Sequence, residues 1–165
     1  MLSIDKITLL NIEMFKAVRL RALQDTPLAF SSTYEREAVF SEEDWHARVR
    51  RWDGRTGIGF LAIETNVPCG IAGSLLDQSD CAKAELVSMW TAPTHRRRGV
   101  GSLLVASVIA WARSRQARTL QLMVTNTNET ALRFYERLGF ALTGRTEPYP
   151  NDPTLKELEM TLLIT

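Results

Sequence analysis

The sequence predicts a mixed α/β fold, with one sheet carrying helices on both faces. Three observations lead there. Short apolar runs with strand-like alternation occur near the start, in the middle and at the end of the chain. Three of them, between residues 58 and 91, are joined by connections so short that they must pair antiparallel. Beyond residue 98, apolar residues recur twice at helical spacing, and these stretches alternate with further strand-like runs.

Ser3 to Leu10 alternates loosely and reads as the first strand. Asn11 can cap a helix whose stripe is Met14, Ala17, Val18 and Arg21, with Leu20 and Leu23 beside it. Pro27 ends that helix, and Ala29 to Ala38 reads as a second, short one. Ser41 followed by Glu42, Glu43 and Asp44 is a capping signal, so a third helix runs to Trp52. Asp53 to Gly57 is a turn. Ile58–Glu64, Cys69–Asp77 and Ala82–Thr91 form a meander with turns at Asn66–Pro68 and Gln78–Asp80. Val100, Leu103, Leu104, Ser107, Val108 and Trp111 mark an amphipathic helix from Gly99 to Arg113. Thr119–Val124 is a strand. Asn126 and Glu129 have capping-box spacing for a helix to Leu138, and Gly139 stops it. Ala141–Arg145 and Leu155–Leu163 close as strands, with Glu147–Pro153 a surface loop between them. The order is β-ααα-βββ-α-β-α-β-β, with no repeat, linker or low-complexity tract.

The 165 residues suit a single domain over residues 1–165, and 45% hydrophobic content supplies a core without metal or disulfide. Twenty basic residues face nineteen acidic ones, a net charge of +1. That balance gives no global field for nucleic acid or an acidic membrane, so any anion site must be local. No apolar stretch approaches the ~20 residues that span a bilayer. The first residues lack a basic segment followed by an apolar run, so a cytoplasmic chain is expected. Cys69 and Cys81 sit in separate expected strands without metal-ligand spacing, so they read as reduced thiols and no metal site is expected.

The sharpest feature is Arg96-Arg97-Arg98-Gly99-Val100-Gly101-Ser102, between a strand and a well-patterned helix. The first N–H groups of a helix have no internal partners, and its dipole places partial positive charge there. Glycines let an anion approach the backbone closely. Together these features make a phosphate or pyrophosphate cradle. A dinucleotide fingerprint would need a third glycine where Leu104 stands, and an NTPase loop would need Gly-Lys-Ser/Thr, which does not occur. A second feature is the helix after Asn126. Ala131, Phe134, Tyr135 and Leu138 share one stripe, and a buried Tyr135 would need a partner for its hydroxyl.

Arg96-x-x-Gly99-x-Gly101, followed by Asn128-x-x-Ala131-x-x-Phe134-Tyr135-x-x-Leu138-Gly139-Phe140, resembles the GNAT superfamily of acetyl-CoA-dependent N-acyltransferases. The two motifs are correctly ordered and separated by a helix and a strand. The strong likeness covers about Ala82 to Phe140, and the N-terminal part agrees only in element order. The resemblance implies a GNAT-like fold in which the strand ending at Met89, Trp90 and Thr91 splays from Thr119–Val124. It implies that acetyl-CoA lies in that opening as cosubstrate, with its diphosphate on Arg96, Arg97, Arg98, Gly99, Val100, Gly101 and Ser102. Asn128 matches the asparagine that contacts the pantetheine arm, and Tyr135 the tyrosine that protonates the departing thiolate. Thr91 stands where the family often has a small aliphatic residue. A homodimer is also a family-level expectation.

Amine attack on a thioester needs a base, a donor for the developing oxyanion, and an acid for the thiolate. A strand N–H can be the donor and the Tyr135 phenol the acid. Glu85 is the best base candidate, because regular alternation would place it on one face with Val87 and Met89. Its plainer reading is an exposed strand charge. His46 and His95 read as surface residues, with His95 near enough to the loop to touch phosphate. Ser102 has no His-Asp pair to serve it, so direct transfer in a ternary complex is favoured over an acyl-enzyme. Arg21, Phe30, Tyr34, Glu35, Trp45, Trp52 and Tyr149 are candidates for an acceptor pocket, with packing as the alternative for most. The acceptor is expected to be a small primary amine. A protein N-terminus or lysine remains an alternative acceptor, and a non-catalytic acyl-CoA sensor or a nucleic-acid binder is an alternative to an enzyme.

Overall fold

A computed structural model describes residues 1–164. Thr165, the last residue of the domain expected from sequence, lies outside the described residues. The chain runs β1 (Leu2–Lys6), α1 (Ile12–Asp25), α2 (Tyr34–Ala38), α3 (Glu42–Arg50), β2 (Gly57–Glu64), β3 (Val67–Leu76), β4 (Lys83–Thr91), α4 (Val100–Ser114), β5 (Thr119–Thr125), α5 (Glu129–Arg137), β6 (Ala141–Tyr149) and β7 (Asp152–Leu163). This is the expected order. The seven strands form one sheet in the order β1-β2-β3-β4-β5-β7-β6. Every pairing is antiparallel except β4 with β5. That parallel pair needs a crossover, and α4 supplies it.

Glycines on β2 and β3 show which helices cover which face. Gly59 and Gly73 are cross-strand partners, and a side chain at either would run into the ring of Trp52, which follows α3. Gly70, of opposite parity, lies under Leu104 and Val100 of α4. One face therefore carries α1 and the end of α3, and the other carries α4. Phe15, Val18, Ala22 and Leu23 of α1 are buried on the first face. Val100, Leu104, Val105, Val108 and Ala112 of α4 are buried on the second. Burial at this scale is what holds the layers together.

Several local expectations need correction. The first strand ends at Lys6 rather than Leu10, Leu9–Asn11 form a 3-10 turn capped by Thr8, and Asn11 makes no side-chain cap bond to α1. The stripe of α1 is rotated. Phe15, Val18, Arg19, Ala22 and Leu23 face inward, while Ala17 and Arg21 are exposed. The second helix is shorter than Ala29–Ala38. Pro27–Ala29 make a single 3-10 turn, Phe30 is extended, and Thr33 caps α2 by accepting the Arg36 N–H at 3.2 Å. The cap of α5 is Asn128, which accepts the Ala131 N–H at 3.2 Å, whereas Asn126 accepts the Lys156 N–H from β7. Glu147–Pro153 is not a surface loop but the tip of the β6–β7 hairpin. Its prolines are tolerated because β6 is an edge strand and Pro153 stands at the start of β7. Tyr149 there is 2% exposed, with its hydroxyl 2.5 Å from the Phe30 carbonyl and 3.1 Å from that of Pro27.

Candidate active site

The site begins where β4 and β5 part. Their parallel pairing covers only Lys83–Thr119, Ala84–Leu120 and Glu85–Gln121. Beyond Glu85 the strands diverge, although β4 continues to Thr91 and β5 to Thr125. Their inner edges then carry N–H and C=O groups with no partner strand, a ready template for an extended chain. A bulge accompanies the opening. Ile71 pairs with Trp90 and Gly73 with Val87, so β4 has one extra residue there. Ser88 has φ 58°, a left-handed conformation rare for a residue with a side chain.

That extra residue breaks the alternation expected from sequence. Val87 lies beside Gly73 on the Trp52 face, whereas the methyl group of Met89 lies toward Gly101 at the start of α4. Glu85 pairs with Leu75, two residues from Gly73, and so shares the face of Val87. Glu85 and Met89 therefore lie on opposite faces. A cavity of about 1380 Å³ passes between the strands and joins the two sides. Glu85, Met89, Trp90, Thr91, Arg96, Arg97, Gly99, Gly101, Ser102, Asn128 and Tyr135 all line it. Arg98 and Val100 do not. Val100 is a buried core residue.

Gly99 precedes α4 with φ 81°, no side chain caps the helix, and nothing lies within 4 Å of the space a Cβ would take. At Gly101 a Cβ would come within 3.1 Å of the Phe134 ring and 3.3 Å of the Met89 methyl group. The N–H groups of the first turn thus stay accessible. Two loop arginines are held by carboxylates. Arg96 bonds Asp25 at 2.5 Å and the Thr91 carbonyl at 3.0 Å, and Arg98 pairs with Glu64 at 3.0 Å. His95 is no free surface residue, since its Nε2 lies 2.7 Å from Glu64. Arg97 makes no ion pair among the described residues.

Tyr135 is 8% exposed, with edge-on contacts to Phe134 and Phe140 at ring separations of 5.2 and 5.6 Å. Burial pushes its phenol well above the ordinary value, so it stays protonated. Glu85 is an exposed residue at the cavity's edge, in line with its plainer reading, but partial loss of water around its carboxyl raises it, and the charges of Glu147, Asp77 and Glu159 add to that. A raised carboxylate is a stronger base near neutral pH.

The side of the cavity on the α1–α3 face holds a network that sequence reasoning missed. Arg19 on α1 donates Nε and Nη2 to the two oxygens of Glu37 on α2, at 2.9 and 2.8 Å, and Nη1 to the Ser88 hydroxyl at 3.1 Å. Arg48 on α3 donates to Glu37 Oε1 at 2.5 Å. The Glu37 side chain is wholly buried and that of Arg19 is 5% exposed. The Arg19 guanidinium also lies over the Phe30 ring, 4.9 Å from its centre. Burial alone would raise Glu37, but Arg19 and Arg48 outweigh it and hold the carboxyl below its ordinary range. One signal was available: Arg19 falls on the apolar stripe of α1 once that stripe is placed correctly.

Of the acceptor-pocket candidates, Phe30 and Trp52 line the cavity and the others do not. Trp45 is core, in edge contact with Phe15 and Phe40. Tyr149 packs under the chain at Phe30, Glu35 is exposed on α2, and Arg21 stacks over Trp90 at 5.4 Å. Tyr34 packs against the core. Cys69 is buried, Cys81 is exposed, and both are free thiols. Among the described residues no helix is long and apolar enough to cross a membrane, and no group of three or more His, Cys, Asp or Glu is placed to hold a metal.

Known proteins match this description. The chain is 45% identical over 53 residues to streptothricin acetyltransferase of Streptomyces lavendulae, covering 32% of this chain and 28% of that protein. It is 32% identical over 90 residues to mycothiol acetyltransferase of Acidimicrobium ferrooxidans, covering 54% and 26%. The chain thus spans about a quarter to a third of the length of the curated relatives it matches. Two solved structures share its fold. One is a GNAT-family acetyltransferase of Streptococcus pneumoniae, with TM-score 0.85, 23% identity and all of both chains covered. The other is yncA of Salmonella typhimurium, solved with acetyl-CoA, with TM-score 0.80, 17% identity, and 100% and 95% covered. The model of the Acetyltransferase (GNAT) family matches residues 19–140, from the buried Arg19 to the end of the Tyr135 motif, so the chain belongs to the GNAT acetyltransferase family.

Proposed function

We propose that the chain transfers an acetyl group from acetyl-CoA to a primary amine of a small molecule, by direct attack while both are bound. The observation that carries this reading is that one cavity joins an uncapped helix entrance, two diverging strand edges, the Tyr135 phenol and the Glu85 carboxylate. The residues present fit acetyl-CoA. The space above Gly99 admits a diphosphate to the first N–H groups of α4, and the free edges of β4 and β5 can pair with the amide-bearing arm. When bound, acetyl-CoA supplies the activated thioester.

The chain's own groups divide the remaining work. The N–H groups of α4 and Arg97, which makes no ion pair among the described residues, hold the diphosphate. Arg96 and Arg98, tied to Asp25 and Glu64, shape the loop around it. Asn128 keeps its side-chain oxygen on the helix cap, and its NH2 group, which bonds no other described residue, donates to the arm. A backbone N–H on the free edge of β4 donates to the oxygen that gains charge. Glu85, on the acceptor face, takes the proton of the amine, and Tyr135 returns one to the departing sulfur. The cytoplasm, where both thiols would stay reduced, is the compartment we assign.

Release of free thiol from acetyl-CoA on adding a panel of small amines tests the reading, with calorimetry reporting cofactor binding. Amine-dependent thiol release is the expected result. Tight binding of acetyl-CoA with no release across the panel would instead make the chain a sensor of acyl-CoA.

A further inference from the structure

The acceptor side of the cavity carries more guanidinium charge than carboxylate. Arg19, Arg48 and Arg51 all line it. Glu37 is the one carboxylate bonded to Arg19 and Arg48, and Arg51 makes no ion pair among the described residues. Glu37 is already fully engaged. Both its oxygens accept from Arg19, and Arg48 shares Oε1. The Arg48 side chain is still 28% exposed and lines the cavity. Burial, with Arg19 and Arg51 nearby, pushes the Arg48 guanidinium below its ordinary value even though Glu37 opposes the shift. These are cations crowded together with one buried counter-charge.

The sheet side of the same cavity has the opposite sign. Glu85 and Glu157 line it, and neither forms an ion pair among the described residues. Phe30 and Trp52 contribute aromatic surface to the same space. A pocket with carboxylates on one wall and guanidiniums on another is complementary to a molecule that carries both charges. The arginines lie on the face opposite α4 and the diphosphate cradle, so the cofactor's phosphates have their own partners elsewhere.

We infer that the acceptor is an amino acid-like molecule, whose amine faces Glu85 and whose carboxylate is read by Arg48 and Arg51. This rests on the acetyl-transfer reading above. A guanidinium presents a planar fork that matches a carboxylate with two parallel hydrogen bonds. Arg19, held through Glu37 and Ser88, is spent on keeping Arg48 in place. Arg51, at the exposed C-terminal end of α3, is the member that selects.

The test compares amino acids with their own carboxamides and decarboxylated amines, using α-, β- and γ-amino acids to vary the spacing of the two charges. For at least one acid, kcat/KM for acetylation should exceed that of its carboxamide by about tenfold or more, as a charge-assisted pair implies. Arg51→Gln should bring that ratio toward one by raising KM for the acid. It should lower the carboxamide rate far less than the acid rate and leave the KM for acetyl-CoA unchanged, and Arg51→Lys should restore part of the preference. Carboxamides or decarboxylated amines used as well as the acids throughout would overturn the inference while leaving acetyl transfer intact. So would an acid preference that survives Arg51→Gln. No acetylation of any amine would remove the underlying reading and this inference with it.

Discussion

The two halves of the cavity are built on different principles. The cofactor half is made mainly of backbone: the N–H groups entering α4, a glycine at φ 81°, and strand edges freed where β4 leaves β5. The acceptor half is made of side chains. Arg19, Glu37, Arg48 and Ser88 meet there from three helices and a strand. A backbone site depends on few residue identities, and those must be glycine or small. A side-chain site can change its preference whenever one arginine is replaced. One scaffold can thus keep its donor and alter its acceptor.

The largest effect should come from breaking the acceptor half. Glu37→Gln leaves Arg19 buried without its counter-charge, and loss of a buried partner costs about 3–5 kcal/mol. Urea unfolding measures this, and a loss below about 1 kcal/mol would reduce the pair to the rank of a surface bridge. The wild type should lose the same stability with acid. The Glu37 carboxyl is held below its ordinary range in the folded chain, so its contribution is present above the unfolded value and disappears as pH falls through the folded one.

Next in size is Tyr135→Phe, which keeps the ring contacts and removes the acid. Turnover should fall about a thousandfold while acetyl-CoA affinity holds, within the range of general-acid effects. Equal losses in both would make Tyr135 a packing residue of the cofactor half. Glu85→Gln should cost about a hundredfold in kcat/KM for the amine. Because the Glu85 carboxyl is raised, wild-type kcat/KM should climb with pH through a step above the ordinary glutamate range. The glutamine variant should lack that step, and its persistence would assign the base elsewhere. The smallest of these effects should be Gly101→Asp. Its side chain would press on Phe134 and Met89 and set a negative charge beside the cradle, weakening coenzyme A binding about tenfold by calorimetry. Unchanged binding would mean that the helix entrance does not hold the diphosphate.

The same contrast explains what could be read from the sequence. The cofactor half is local. Arg96 to Ser102 and Asn128 to Phe140 are short motifs, and their glycines, cap and helical stripe announce themselves within a few residues. The acceptor half is not local, because Arg19 and Ser88 meet across 69 positions and Arg19 and Glu37 across 18. No periodicity encodes those meetings. The hairpin tip at Tyr149 was hidden for a different reason, since prolines normally mark loops and here an edge strand accommodates them. Ser88 gave no warning either. Left-handed residues are usually announced by glycine or asparagine, and this one is held by a tertiary bond from Arg19.

The single additional residue at Ser88 lets one β-strand serve two compartments. Upstream of it, odd-numbered side chains look toward the helices of the N-terminal third. Downstream, the parity reverses, so Trp90 reaches Asp25 through its indole N–H at 3.0 Å while Met89 turns the other way. A chain shortened by that one position would trade the directions of both, strip Asp25 Oδ2, which also accepts from Arg96, of its Trp90 bond, and so unsettle the diphosphate loop from the far side of the sheet.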